Sequence, residues 1–310
     1  MAKWIPPRPQ YKREHRTVGF VILAFFLLSL FARLFGNLIP LPYKEILLPL
    51  ITLTATILLP TLAYLLFRGR GYLHTLRLAP PRKEHFPLLA AAFFAMLSGA
   101  FLLSCLTGGI DTFGNTVVAF DSPPAEHPLT AVLSYLILAA LPALAESFFC
   151  FGVVTIEYER RGAFRAVLMS ALTFSLMHFD PRNLPAYLLL ALISILVLYT
   201  TNSLFAVLAL HLVYQLISLL LQPYLNALYR YTGSLHLLFF ILVLILLLSL
   251  YLLLRFSART YRLREEQSIG VPRRAVPYDV QFYTTLDALL DPAVLLSLAV
   301  ALIAMIILPL

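Results

Sequence analysis

Charge is what this sequence has least of. Asp, Glu, Lys and Arg make up 12% of its 310 residues, about half the share in a soluble domain. So few charges cannot clothe a water-facing fold of this length. Cysteine is almost absent too. Cys105 and Cys150 both sit in apolar segments, which argues against a disulfide framework and against a thiolate metal site. No small-residue cleavage site follows the basic N-terminal run of Lys3, Arg8, Lys12, Arg13 and Arg16. The first apolar segment therefore reads as a retained span, not a signal peptide. Internal repeats and low-complexity tracts are missing, and the inverted-repeat signature of many transporters is not evident.

What is present is hydrocarbon. Hydrophobic residues make up 61% of the chain, in repeated runs of about 20 that fit bilayer spans. Nine segments are read: 17–39, 46–67, 86–107, 129–155, 164–179, 184–200, 203–222, 234–256 and 292–310. The predicted fold is all-α, a polytopic transmembrane helical bundle of about 8–9 spans. The ninth segment either spans or lies in the interface. With the N-terminus in the cytoplasm, nineteen of the twenty-three Lys and Arg fall on the cytoplasmic side, as the positive-inside rule requires. Lys44, Arg182 and Arg230 fall outside, and Arg33 is placed to snorkel to the outer surface. The formal charge of +8 is thus read as orientation, with no nucleic-acid partner. The expected setting is the lipid bilayer, in the multi-pass plasma membrane of a bacterium.

The chain divides into a cytoplasmic N-tail (1–16), N-terminal transmembrane helices (17–127), a core (128–225), a flanking span (226–256), a basic cytoplasmic linker (257–291) and a C-terminal apolar helix (292–310). The acidic, proline-containing 108–127 loop reads as irregular and outside. The 257–291 linker carries basic runs such as RTYRLREEQ. Those runs could bind anionic lipid, or the linker could simply be solvated.

Fifteen carboxylates occur, and fourteen lie in tails or near the ends of apolar runs. Glu146, inside LPALAESFFCF, lies deep within one. A charge there costs at least about 2.5–3.5 kcal/mol on insertion scales, so it marks a functional-site candidate provided it has partners. His178 and His211 are the candidates. At a helical rise of about 1.5 Å per residue, Glu146 and His178 lie roughly 20 Å from the cytoplasmic charges and His211 roughly 15 Å. All three fall in one layer of a hydrocarbon core about 30 Å thick. Gln215 follows His211 by four residues and shares its helix face. A carboxylate and a neutral imidazole at one depth can draw a proton from a shared water. An amide donor beside an imidazole suits a developing oxyanion. Each residue alone would equally serve as an inter-helix polar contact.

The 129–222 region resembles the CPBP family, the CAAX prenyl-protease and bacteriocin-processing intramembrane proteases, including its Abi and lysostaphin-resistance branches. The family motifs are Glu-Glu-x-x-x-Arg-Gly, Phe-x-x-x-His and His-x-x-x-Asn. Here they read Glu146-Ser147-Phe148-Phe149-Cys150-Phe151-Gly152, Phe174-Ser175-Leu176-Met177-His178 and His211-Leu212-Val213-Tyr214-Gln215. Order, spacing and distribution over separate spans match. Ser147 stands in place of the second glutamate, Phe151 in place of the arginine and Gln215 in place of the asparagine. The lost acid and base are four apart, where they could have paired, so their joint loss leaves no orphan charge.

The resemblance implies an intramembrane endopeptidase acting on a membrane-associated protein or peptide. Glu146 and His178 would activate water, and His211 and Gln215 would hold the oxyanion. The resemblance and the charged 156–165 loop together favour a site that opens to the cytoplasm. No cofactor is expected, although Glu146, His178 and His211 could also form a three-ligand zinc site. Two other functions stay open. One is a catalytically weak or inactive relative acting as a scaffold or bacteriocin-immunity-type binding protein. The other is a proton-coupled transporter using Glu146 as carrier.

Overall fold

Long apolar runs in hydrocarbon must satisfy their own backbone hydrogen bonds, and a helix does so within one segment. A computed structural model of the chain describes residues 9–38, 40, 44–108, 136–160, 162–232, 234–267 and 278–308. Among them there is no β-strand. Residues 109–127 of the acidic loop, the start of the fourth segment and residues 268–277 of the basic linker lie outside the described set.

Helix α1 covers Pro9–Phe35. Helix α2, Lys44–Leu53, runs through a π-helical stretch, Thr54–Leu58, into α3, Leu59–Arg68. Helix α4 is Phe86–Gly108. Helix α5, Leu141–Ser147, lies between two π-helical stretches, Leu136–Ala140 and Phe148–Val154, and the second leads into α6, Thr155–Glu159. Helices α7 (Ala163–Leu176), α8 (Leu184–Thr201), α9 (Leu204–Thr232) and α10 (Leu235–Gln267) follow. Within the segment read as a linker, α11 covers Tyr278–Leu289; α12 is Pro292–Ile307.

Local chemistry sets the breaks. Pro185 and Pro292 open α8 and α12, where a missing N–H costs nothing. Asp291 caps α12 by accepting from the Ala293 N–H at 3.0 Å. Asn202 closes α8 in the left-handed region, φ 54°, a conformation Asn tolerates. The π-helical turns after Ser147 have a visible cause. The Thr155 hydroxyl donates to the Cys150 carbonyl five residues back and also pairs with Ser170 Oγ. Gly152 lets Leu204 come so close that a Cβ there would meet its Cδ2 at 3.0 Å.

Among the described residues, six helical stretches are long and apolar enough to cross a membrane: Thr17–Phe35, Leu47–Arg68, Lys83–Thr107, Leu141–Glu159, Leu184–Thr201 and Leu235–Leu263. Of the other three apolar segments, 164–179 forms the short α7, 203–222 lies within the longer α9, and 292–310 forms Pro292–Ile307, which is bent by 60° against Val280–Leu289. The surface is inverted relative to a soluble protein. Leu244, Leu247, Leu248 and Leu254 of α10 face outward, while Ser98, Ser104, Ser170, Ser194 and Thr200 are buried between helices. That is how helices associate in lipid, through small and hydroxylated residues. The molecule is a multi-pass integral membrane protein with an all-α fold. Its core joins α4 to α8 and α10, α1 to α12, and α9 to α5.

Helix α7 matters most for the site. Its 14 residues span about 21 Å, short of the roughly 30 Å hydrocarbon core. The turn after it therefore lies at membrane depth, where irregular backbone is tolerated only against protein or a polar cavity. Phe179 takes a left-handed φ of 53° there, a true outlier for a bulky residue. Its ring is clasped between Phe26, at a centroid distance of 5.7 Å, and the Arg33 guanidinium at 5.2 Å. Arg33 also donates to the His178 carbonyl at 2.9 Å. The sequence placed Arg33 as a snorkelling surface charge. It is exposed, yet it caps the open end of α7, where a cation meets the negative pole of the helix.

The opposite end of the bundle carries the basic loops and is tied by ion pairs. Arg68 donates to Glu157 through Nε at 3.1 Å and Nη2 at 2.6 Å. The Arg68 guanidinium also lies over Tyr72, whose phenol burial pushes well above its ordinary pKa. Arg77 holds both oxygens of Glu159 at 2.6 and 2.7 Å. Glu157 is fully buried and is also approached by Arg160 at 3.8 Å. Glu157→Leu, which strands the Arg68 cation, should lower stability by about 3–5 kcal/mol, and Arg68→Leu, which leaves Arg160 beside the carboxylate, by less. The double variant should lose clearly less than the sum. A thermal-denaturation double-mutant cycle on the detergent-solubilised chain measures this coupling.

Candidate active site

Three helices deliver the polar residues. The last turn of α5 presents Glu146 and Ser147, the turn closing α7 presents His178, and the middle of α9 presents His211 and Gln215. Glu146 Oε2 lies 3.8 Å from His178 Nε2, and the two side chains are 13% and 19% exposed.

The backbone settles the state of His178. Its Nδ1–H donates to the Phe174 carbonyl at 2.9 Å, so in the neutral ring Nε2 carries the lone pair. That lone pair faces Glu146. The ring plane is fixed by stacking on Tyr187, with centroids 3.8 Å apart and planes 11° from parallel. Glu146 Oε2 has no hydrogen-bond partner among the described residues. A buried carboxylate oxygen without a hydrogen-bond partner among the described residues thus lies beside an imidazole lone pair, and a donor such as water would satisfy both.

His211 belongs to a second cluster beside the first. The Gln215 amide nitrogen lies 3.3 Å from His211 Nε2 and donates to it. Nδ1 then carries the proton and donates to Ser147 Oγ at 2.6 Å. Ser147 and His211 are buried, as is Gln215, whose Oε1 has no partner among the described residues. Phe174 connects the clusters, with its ring edge-to-face with both His178 and His211, at 5.2 and 5.4 Å.

The residues that depart from the family motifs have defined contacts. Ser147, in the place of the second glutamate, is the hydrogen-bond partner of His211. Phe151, in the place of the arginine, is buried with its ring 5.2 Å from that of Phe174. The two positions are thus held by a hydroxyl and a packed ring. Sequence reasoning named Glu146, His178, His211 and Gln215 but missed Tyr187, Phe179 and the capping role of Arg33. None of these carries a motif. Only Arg33, as a charge near a span end, stood out at all.

Zinc ligation by Glu146, His178 and His211 does not fit this arrangement. Both ring nitrogens of His211 are engaged, by Ser147 and by Gln215, so ligation would first have to break one of these hydrogen bonds. Among the described residues, no group of three His, Cys, Asp or Glu side chains converges as a ligand set.

The exposed edge of the Glu146–His178 pair is flanked by Arg33 and Asp180, at the end of the bundle away from Arg68, Arg77 and Arg160. A cavity of about 620 Å³ does lie at the basic end, but none of the candidate site residues line it.

Residues 128–217 match the family model for the type II CAAX prenyl endopeptidases, Rce1-like. The matched stretch is under a third of the chain and holds Glu146, Ser147, Phe151, His178, His211 and Gln215. No curated protein and no solved structure matches the chain.

The contacts of Ser147 and Phe151 generate a reciprocal test. Phe151→Arg alone should destabilise the protein by several kcal/mol, because it buries an unpaired cation. Ser147→Glu alone should do the same with an anion. The combined variant should recover most of the loss if the two seats can still hold an ion pair. Thermal unfolding of the three variants in one detergent decides it. A double variant no more stable than its singles would show that the seats no longer face each other.

Proposed function

We propose that the chain is an intramembrane endopeptidase that hydrolyses a peptide bond of a membrane-associated protein or peptide by an activated water, in the plasma membrane of a bacterium. The observation that carries this reading is the 3.8 Å approach of Glu146 Oε2 to His178 Nε2 at the end of a helix too short to cross the bilayer. The match over residues 128–217 supports it at the level of a CAAX-protease-like family.

In the proposed reaction Glu146 takes a proton from water while His178, through its Nε2 lone pair, orients the same molecule. The resulting hydroxide adds to the scissile carbonyl carbon. The tetrahedral oxyanion is met by an amide N–H of Gln215, which must then release His211 Nε2. When the C–N bond breaks, Glu146 returns its proton to the leaving amine, and carboxylic acid and amine products separate. Ser147 holds His211 by its Nδ1 and so fixes the ring against which Gln215 turns. No step uses a metal.

A second reading has its own support. Both nitrogens of His211 are engaged in the resting arrangement, and the second acid and the base of the family motif are absent. A relative that binds membrane partners without cleaving them, as a scaffold or immunity-type protein, would tolerate both features.

Glu146→Gln separates the two. Gln keeps the shape and the polar contacts but cannot accept the proton, and a general base contributes about 10²–10⁴-fold. In proteoliposomes of the full chain offered a fluorogenic lipidated-peptide library, Glu146→Gln should lower cleavage by that factor with its melting temperature unchanged. His178→Asn should act in the same direction. Cleavage that survives Glu146→Gln would abandon the protease for the binding protein.

A further inference from the structure

The cavity at the basic end has an unusual lining. Its walls come from the 79–87 stretch before and into α4, from Thr201 and Asn202 where α8 ends, and from Phe256, Arg259, Thr260 and Leu263 near the end of α10. Every contributing helix begins or ends here. The apolar stretch of α10 is 29 residues long, about 43 Å at the helical rise. It therefore outruns the roughly 30 Å hydrocarbon core, and its last turns rise to headgroup level.

The cavity is built, not an accident of loose loops. The Arg77 carbonyl accepts from the Leu204 N–H at 2.9 Å, and the Ala79 carbonyl accepts from the Ser203 hydroxyl. The Arg82 N–H donates to His85 Nδ1 at 3.3 Å, which sets the turn into α4. The stretch before α4 is thereby fastened to the start of α9.

Three cations line this space: Arg82, Lys83 and Arg259. Among the described residues none of them pairs with a carboxylate, whereas Arg68, Arg77 and Arg160 at the same end each do. Glu84 is the single acid on the lining. Phe256, Leu263, Pro80 and Pro87 supply an apolar wall beside the cations. Unpaired cations above an apolar wall at headgroup depth match a phosphate joined to a hydrocarbon chain. We infer that this cavity is a binding site for the phosphate of an anionic phospholipid, held by Arg82, Lys83 and Arg259.

The site lies apart from Glu146, so its test does not depend on protease activity. Delipidated full-length chain in neutral detergent is titrated with phosphatidylglycerol or with phosphatidylcholine, and bound lipid is counted by native mass spectrometry. The expected result is a saturable phosphatidylglycerol adduct, with phosphatidylcholine binding at least tenfold weaker. Arg82→Gln with Arg259→Gln should weaken phosphatidylglycerol roughly 25-fold, since each cation near an anionic headgroup is worth about fivefold. Arg255→Gln with Arg262→Gln removes the same amount of charge from α10 outside the cavity, and should change affinity less than threefold. Equal losses in the two double variants, or equal binding of the two lipids, would overturn the proposal. Glycerol phosphate is the competing arm. Displacement of the lipid at comparable concentration would assign the cavity to a soluble phosphate and overturn the lipid. A failure to compete below a hundredfold excess supports the lipid.

Discussion

A carboxylate sunk in hydrocarbon needs a polar neighbour from another helix, and Glu146 Oε2 has the His178 imidazole 3.8 Å away. Much of the surrounding structure serves to bring that imidazole to the right depth. Helix α7 stops short so that His178 sits at its end rather than along its flank. Phe179 accepts a left-handed backbone to turn the chain away, and Arg33 reaches across from α1 to satisfy the carbonyl this exposes. Tyr187 then fixes the ring plane from the first turn of α8. Three helices other than the one bearing Glu146 thus contribute to one contact, as a polar pair in this medium requires.

The two ends of the bundle solve the problem of charge differently. At the basic end, Arg68 with Glu157 and Arg77 with Glu159 cancel each other and lock loops to α6. At the other end two buried oxygens, one of Glu146 and the Gln215 carbonyl, have no hydrogen-bond partner among the described residues. Fully satisfied networks rigidify, and partly satisfied ones hold capacity for a ligand or a reaction.

Much of this was legible in the sequence because the bilayer simplifies reading. A span must be apolar and helical, so nine runs of hydrophobic residues became the described helices with shifts of a few residues at most ends. A lone glutamate in such a run stands out against a silent background, and depth counted from the basic loops placed His178 and His211 beside it. The orientation of side chains was not legible. Spacing cannot say that His211 turns toward Ser147, nor that Phe151 packs on Phe174 where an arginine would have sat. The left-handed turn at Phe179 has no signature, since no glycine or asparagine marks it. Helix α11 lay hidden in a stretch read as a linker, because YDVQFYTTLDAL is too polar to look like a span.

The π-helical turns between Ser147 and Thr155 give this helix a fixed phase between two anchors. Its lower end is clamped by Glu157 and Glu159, and its upper end must present Glu146 to α7. A π turn holds more residues than an α turn, so the stretch from 148 to 154 sets how far the upper end is rotated against the lower. Deleting any one of these residues would spare every named contact of the lower anchor and turn the upper end by about 100°. Glu146 would swing off His178 with its chemistry intact. The aim of the carboxylate is therefore kept by the number of residues in this stretch, and apolar substitutions of similar size within it leave that number untouched.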